Sequence, residues 1–271
     1  MSNPYRIAPP ALISVSGGRT SGFMLRQILD AHGGALPADV IPVFCNTGRE
    51  HEATLNFLRD MAEQWACPIV WLEYTHDDER HGFKVVDYCS ASRNGEPFAA
   101  AIASRKYLPN PVTRFCTAEL KIRTGNHYAR SLGWTEWARA VGLRYDEPRR
   151  VAKMTGEGGE DVALPMNAAK HTLDDVRAFW KAQPFDLQLP GDDNAFGNCD
   201  LCFLKSRAKI EKVLRTMPEA GEWWAEQEAA IGATFRKDRP TYRQMLTQLT
   251  VQGRLFDDAI DDDTLPCHCT D

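Results

Sequence analysis

No stretch of about 18 or more apolar residues occurs in the 271-residue chain, so no membrane-spanning helix is expected. Its opening residues, MSNPYRIAPPALISV, lack the charged start and long apolar run of a secretory signal. Internal repeats and low-complexity tracts are absent, as are the Walker A pattern and GxGxxG. Basic charge is not in excess either. With 32 Lys and Arg against 37 Asp and Glu, the net charge is −5, which argues against a protein that coats nucleic acid non-specifically. A local basic groove is still allowed. The expected location is cytoplasmic. Eight cysteines in such a chain suit metal ligands, catalysis or buried thiols better than a disulfide framework.

What is present is an ordinary globular composition, 43% hydrophobic and 25% charged, sufficient for a core without staples. The first half alternates strand and helix signals. The apolar run Ala11 to Val15 leads into Ser16-Gly17-Gly18-Arg19-Thr20-Ser21, then Phe23, Met24, Ile28 and Leu29 recur at helical spacing until Gly33-Gly34. Val40 to Cys45 reads as a second strand, Glu50 to Trp65 as its helix, and Ile69 to Tyr74 as a third strand. Such alternation predicts an α/β fold with a doubly wound, mostly parallel sheet. Thr75 to Thr113 is weakly periodic and reads as a long irregular segment of the kind that forms lids. A helix is expected from about Cys116 to Gly133, and a strand from Trp137 to Val141 that delivers Gly142-Leu143-Arg144.

Beyond about residue 165 the signals are helical. Thr172 is an N-cap with Asp175 at the capping-box position, and helices are expected over Ser206–Met217, Gly221–Ile231 and Thr241–Gln252. The expected division is a nucleotide-binding α/β domain over 1–165 and a helical region over 166–271, ending in an acidic tail with Pro266-Cys267-His268-Cys269.

A strand, then Ser-Gly-Gly-Arg-Thr-Ser, then a helix is an anion-binding arrangement. Glycines let amides approach the anion, the helix N-terminus adds positive potential, and Ser16, Thr20 and Ser21 add hydroxyls. The loops Asn46-Thr47-Gly48-Arg49-Glu50 and Gly142-Leu143-Arg144 end strands at the same edge, where open α/β sheets bind ligands. Arg144 is the strongest candidate for an anion contact, because its planar fork suits phosphate or sulfate oxygens.

Cys199 and Cys202 form a C-x-x-C that can face one metal from a single turn. Cys267 and Cys269 form a C-x-C, and Cys116 stands at a helix start, where the helix dipole favours a thiolate. Cys116, Cys199, Cys202 and one tail cysteine would complete a four-thiolate centre, holding either zinc or an iron–sulfur cluster. Cys45 and Cys67 read as core cysteines. Lys205, Arg207, Lys209 and Lys212 read as a solvated helical face, or as a guide for an anionic substrate. Trp180, Trp223 and Trp224 read as packing residues.

Ser16 to Ser21 resembles the SGGxxS pyrophosphate loop of PP-loop ATP pyrophosphatases. Asn46 to Glu50, Cys116 to Lys121 (CTAELK) and Gly142 to Glu147 resemble, in the same order, segments of the PAPS reductase-like branch of that family. The resemblance spans roughly residues 10 to 150. It implies a site for an adenine nucleotide, ATP with Mg2+, formed by Ser16, Gly17, Gly18, Arg19, Thr20, Ser21, Asn46, Thr47, Gly48, Arg49, Gly142, Leu143 and Arg144. Lys121 and Arg144 would act on the reacting anion. The resemblance also favours a 4Fe-4S cluster over zinc. Phe115 stands where the related APS reductases carry a second adjacent cysteine, so a fourth ligand would come from Cys267 or Cys269, or be absent.

Two activities then compete. One is cleavage of ATP to AMP and pyrophosphate, adenylating a substrate for sulfur transfer. The other is reduction of PAPS or APS with Cys267 or Cys269 as nucleophile. The intact SGGxxS pattern favours ATP. A non-catalytic nucleotide-binding or redox-sensing protein with a structural metal is the third reading. The partners left open are a sulfur donor or thioredoxin-like reductant, a nucleic-acid acceptor, and a second copy of the chain.

Overall fold

The computed structural model describes residues 3–77, 80–154, 156 and 159–251. The strands are β1 (Ala11–Ser14), β2 (Val40–Asn46), β3 (Val70–Asp77), β4 (Arg80–Val86), β5 (Trp137–Ala140) and β6 (Glu160–Ala163). They form one sheet in the order β4-β3-β2-β1-β5-β6, parallel except for β4. This is the expected doubly wound sheet.

Side chains alternate across it with period two. Ala11, Ile13 and Phe44 enter the larger apolar cluster, with α1 (Arg19–Ala31) and α2 (Glu52–Gln64). Leu12, Val43 and Leu72 enter a smaller cluster on the other face, with Ala129 and Tyr128. The helical residues expected in α1 (Phe23, Met24, Ile28 and Leu29) are all buried.

The segment 75–113 is not irregular. β3 continues to Asp77, β4 returns antiparallel beside it, and α3 (Glu96–Arg105) follows. β4 escaped the sequence pattern because it is an edge strand with half-exposed residues, including Val85 at 58% exposure. The buried side of α3 is Pro97, Phe98, Ala101 and Ile102, but the less buried Ala99, Ala100 and Ala103 blur its periodic signal.

The next helical run comprises α4 (Phe115–Thr117), a π-helical turn (Ala118–Arg123) and α5 (Thr124–Ser131). After β5 come α6 (Pro148–Val151), β6, and α7 (Pro165–Ala168). β6 was not expected, since Glu-Asp-Val-Ala carries no apolar run. α8 (Leu173–Lys181) starts with the expected capping box: the Thr172 amide donates to Asp175 Oδ2 at 2.7 Å. α9 (Arg207–Thr216), α10 (Pro218–Ile231) and α11 (Tyr242–Val251) complete the described chain.

Residues before and after 165 share one core. Trp180 of α8 packs on Phe57 and Trp65 of the α2 region, and its indole N–H donates to Arg19 O at 2.7 Å. Among the described residues no helix is long and apolar enough to cross a membrane.

Candidate functional site

β1 pairs with β2 on one side and β5 on the other, so the chain leaves β1 in one direction and reaches β5 in the opposite one. A crevice opens at such a switch point, outside the carboxyl ends of the strands. The Ser16–Thr20 loop and Arg144 both line it. The resulting cleft has a volume of about 540 Å³.

The loop holds its shape through Ser21, which accepts from the Ser16 amide at 3.1 Å and donates to Gly18 O at 3.0 Å. Gly17 has φ +78°, and a Cβ there would lie 2.4 Å from Thr54 Cγ2. Both facts require glycine. Gly18 caps α1 and, having no side chain, leaves the cap position without a side-chain hydrogen bond to the first-turn amides. Such a helix start favours an anion.

On the opposite wall, Arg144 Nη1 lies 3.3 Å from Thr20 Oγ1, and its Nε donates to Asp146 Oδ1 at 2.9 Å. The two loops meet at Gly142, where a β-carbon would stand in ordinary contact, 3.4 Å from the Ser21 Cα. Leu143 is buried behind them. Leu173, Val176, Leu187 and Leu189 add apolar surface to the cleft, while Arg177 and Lys181 add charge.

Arg19 also lines the cleft, but its guanidinium is committed. It donates to Asp186 at 2.7 and 2.8 Å, to Asp192 at 2.6 Å and to Leu187 O at 3.1 Å. The Asp186 hydrogen bond, against the cost of burial, raises its already high pKa. Arg19 therefore ties the 186–192 segment to the glycine loop.

The loop after β2 does something other than line this cleft. Asn46 is fully buried, donating to Glu73 Oε1 at 2.6 Å and Ser92 O at 2.8 Å, and accepting from the Gly48 amide at 3.1 Å. Thr47 donates to Glu50 Oε1 at 2.8 Å and stands 3.5 Å from Cys199 Sγ. Burial pushes the Glu50 carboxyl up, with Lys121 pulling against it. Arg49 is buried and ion-paired with Asp200. Of the residues expected at the nucleotide, Thr47 and Arg49 thus pack toward the C-x-x-C segment, while Asn46 is held by Glu73 and Ser92 and Gly48 lies against Gly95.

Cys116, Cys199 and Cys202 line one small pocket of about 20 Å³ with Thr47, Lys121, Phe98 and Trp224. Cys116 and Lys121 are five residues apart across the π turn, whose i→i+5 bonding brings residues at that spacing onto one side. In an α-helix they would diverge. Lys121 therefore faces the cysteines and not the cleft. Cys45 lies nearby, its Sγ 3.5 Å from Lys121 O, with its thiol pushed up to about 11 by burial. Among the described residues, no three His, Cys, Asp or Glu side chains close on one point as ligands of a single ion would. Cys267, His268 and Cys269 lie outside the described residues.

Sequence reasoning missed the role of Lys205. It is buried, and its ammonium donates to Ala195 O, Cys199 O and Asp200 O at 2.6, 2.8 and 2.7 Å. Arg207 and Lys212 pair with Glu211 and Asp193. The basic run is therefore largely used within the protein. Asn194, Gly197 and Asn198, which line the cleft, carried no motif; Asn198 alone shows a signal, a left-handed φ of 56° one residue before Cys199.

No family model matches the chain. Several solved structures are similar at low level. A phosphoadenylyl-sulfate (PAPS) reductase from Candida auris, in complex with phosphate, is 16% identical, with 66% of this chain and 79% of that one covered at a TM-score of 0.43. The U34-tRNA thiolase NcsA from Methanococcus maripaludis, with its [4Fe-4S] cluster, is 12% identical, with 93% and 79% covered at a TM-score of 0.42. At those scores neither likeness carries weight. The match to an uncharacterized nin region protein, ORF290, of Escherichia phage lambda is different in kind: it is 30% identical over 261 residues, covering 92% of this chain and 83% of that protein. By this likeness along most of both sequences, the chain belongs to the same family as the phage lambda nin region protein ORF290.

Proposed function

We propose that this protein is a PAPS reductase-like PP-loop enzyme that binds ATP in the cleft, cleaves it to AMP and pyrophosphate, and supports sulfur transfer from the cysteine pocket. One observation carries the reading. The uncapped start of α1 and Arg144 share a single cleft at the switch point, and the segment that closes this cleft runs directly into Cys199.

In this reading the amides of Gly17, Gly18 and the first turn of α1 donate to phosphate oxygens, with Ser16 and Thr20 hydroxyls beside them. Arg144 opposes the charge that builds on the phosphates as the α–β bond breaks. ATP enters with Mg2+. The AMP moiety passes to an oxygen of the substrate and pyrophosphate leaves.

Three thiols from two distant segments line one small space, a donor set that suits either zinc or an iron–sulfur cluster, and the resemblance to PAPS reductase-like enzymes is what favours the cluster. Cys116, Cys199 and Cys202 would hold a 4Fe-4S cluster, with a fourth position left to Cys267, to Cys269 or to substrate. Bound there, the cluster would supply an iron site for taking up and passing on sulfur. Lys121 brings a positive charge to the same pocket.

Anaerobic protein titrated with ATP and magnesium, and separately with PAPS, tests the nucleotide. A ligand that binds only the folded state raises its melting temperature by mass action. Stabilisation by ATP and none by PAPS is expected; the reverse makes the protein a sulfonucleotide reductase. Iron and acid-labile sulfide in the purified protein test the centre, and zinc alone would sink the cluster.

A further inference from the structure

We propose that Arg49 is a positioning residue for the cysteine pocket: with Asp200 it clamps the C-x-x-C turn to the end of β2, and it makes no contact with nucleotide. The proposal rests on reading that pocket as a metal centre.

Arg49 follows Gly48 at the sheet edge where nucleotide ligands are found, but its guanidinium points elsewhere. It ion-pairs with Asp200, donates to Ala220 O at 3.1 Å, and lies 5.1 Å from the Trp223 ring centroid. Asp200 is one of the two residues between Cys199 and Cys202. Its second oxygen accepts from Trp224 Nε1 at 2.8 Å and from the Leu201 amide at 2.7 Å. The main chain is tied as well. The Asp200 amide donates to Arg49 O at 2.8 Å, and Glu50 and Cys199 form an antiparallel bridge. Side chain and backbone thus fix the middle of the turn to β2 and α10 together.

Stability alone is a poor account of this pair. Buried ion pairs commonly contribute little net free energy, because desolvation offsets their attraction, and apolar replacements are often neutral or stabilising. What a fork held by a carboxylate does supply is direction. Fixing Asp200 fixes the two cysteines on either side of it. Among the residues lining the cleft, none is Arg49.

The test uses Arg49→Met with Asp200→Asn, since that pair leaves no unpaired buried charge and Asn still accepts from Trp224. Metal-free protein is alkylated with iodoacetamide, and each cysteine is followed by mass spectrometry, with Cys116 as internal reference. Loss of the clamp lets the turn open locally. The rates at Cys199 and Cys202 relative to Cys116 should rise on the order of tenfold, and iron retained after anaerobic reconstitution should fall by about half or more. ATP affinity should stay within about twofold. Unchanged alkylation ratios together with full iron loading would overturn the clamp, as would loss of ATP affinity with the cysteines unaffected. Arg49→Lys keeps charge without the fork and is read the same way if the double variant does not fold; wild-type ratios and iron content in it overturn the proposal. A wild-type protein that takes up no iron sinks the metal reading instead, and the alkylation ratios then decide the clamp by themselves.

Discussion

Arg144 Nη1 stands 3.3 Å from Thr20 Oγ1, so the loop that ends β5 reaches over the loop that ends β1. The arginine fork and the start of α1 thereby face one volume. Arg144→Ala should weaken ATP binding about 10- to 100-fold, the size expected for one charge-assisted hydrogen-bonding group at roughly 1.5–3 kcal/mol. Calorimetric titration reads this directly, and an affinity within about twofold of wild type would remove Arg144 from the site.

Gly17→Ala attacks the loop from below. The left-handed φ of +78° costs a β-carbon about 1–2 kcal/mol, and contact with Thr54 Cγ2 at 2.4 Å adds an overpacking cost of similar size. The melting temperature should fall by roughly 5–15 °C for a chain of this length. Adding Thr54→Ser removes the colliding methyl and should recover part of the loss, leaving the backbone share. Full recovery would mean that φ contributes nothing.

The cysteines differ enough in environment to be told apart by alkylation at neutral pH. Cys89 is exposed and should label first. Burial pushes the thiols of Cys45 and Cys67 up to about 11, so both stay protonated and should remain unlabelled in the native protein. Fast labelling of Cys67 would show that its thiol is not buried in the native protein.

His81 should make the protein acid-sensitive. Burial and the neighbouring His127 lower its pKa to about 4; Glu119 pulls it upward, and Arg123 and His76 add smaller opposition. The unfolded chain takes up this proton near pH 6.5, whereas the native protein refuses it until about pH 4. Stability is therefore complete above about pH 6.5 and falls as the pH drops toward 4, by at most about 3 kcal/mol for this group. Burial lowers the His127 pKa as well, which acts in the same sense. Urea midpoints measured from pH 7.5 to 4.5 should decline, and His81→Leu should flatten the decline. An unchanged slope in that variant would assign the effect elsewhere.

Features governed by local spacing were readable from the sequence. The apolar runs of β1, β2 and β5, the glycine loop, and the Thr172–Asp175 capping box all depend on near neighbours, and each stands where expected. Cys116, Cys199 and Cys202, expected to share a metal centre, line one pocket, although among the described residues no three ligand side chains close on one point. What sequence could not reveal were partners distant along the chain. Nothing near Arg19 in the sequence announces its ion pairs with Asp186 and Asp192. Arg49 and Thr47 sit in a loop whose composition suits a ligand, yet their partners are Asp200 and Cys199. Lys205 read as a surface cation because its three carbonyl acceptors become visible only after the chain has folded around it. The π turn, which aims Lys121 at the thiols, leaves no mark in hydrophobic periodicity.

Asn198 lines the cleft and Cys199 lines the pocket, one peptide bond apart. A ligand that draws Asn198 toward itself moves the carbonyl and amide that orient the next side chain. Linkage would then work in both directions: whatever factor an occupied cleft imposes on affinity at the cysteine pocket, an occupied pocket returns unchanged to the cleft.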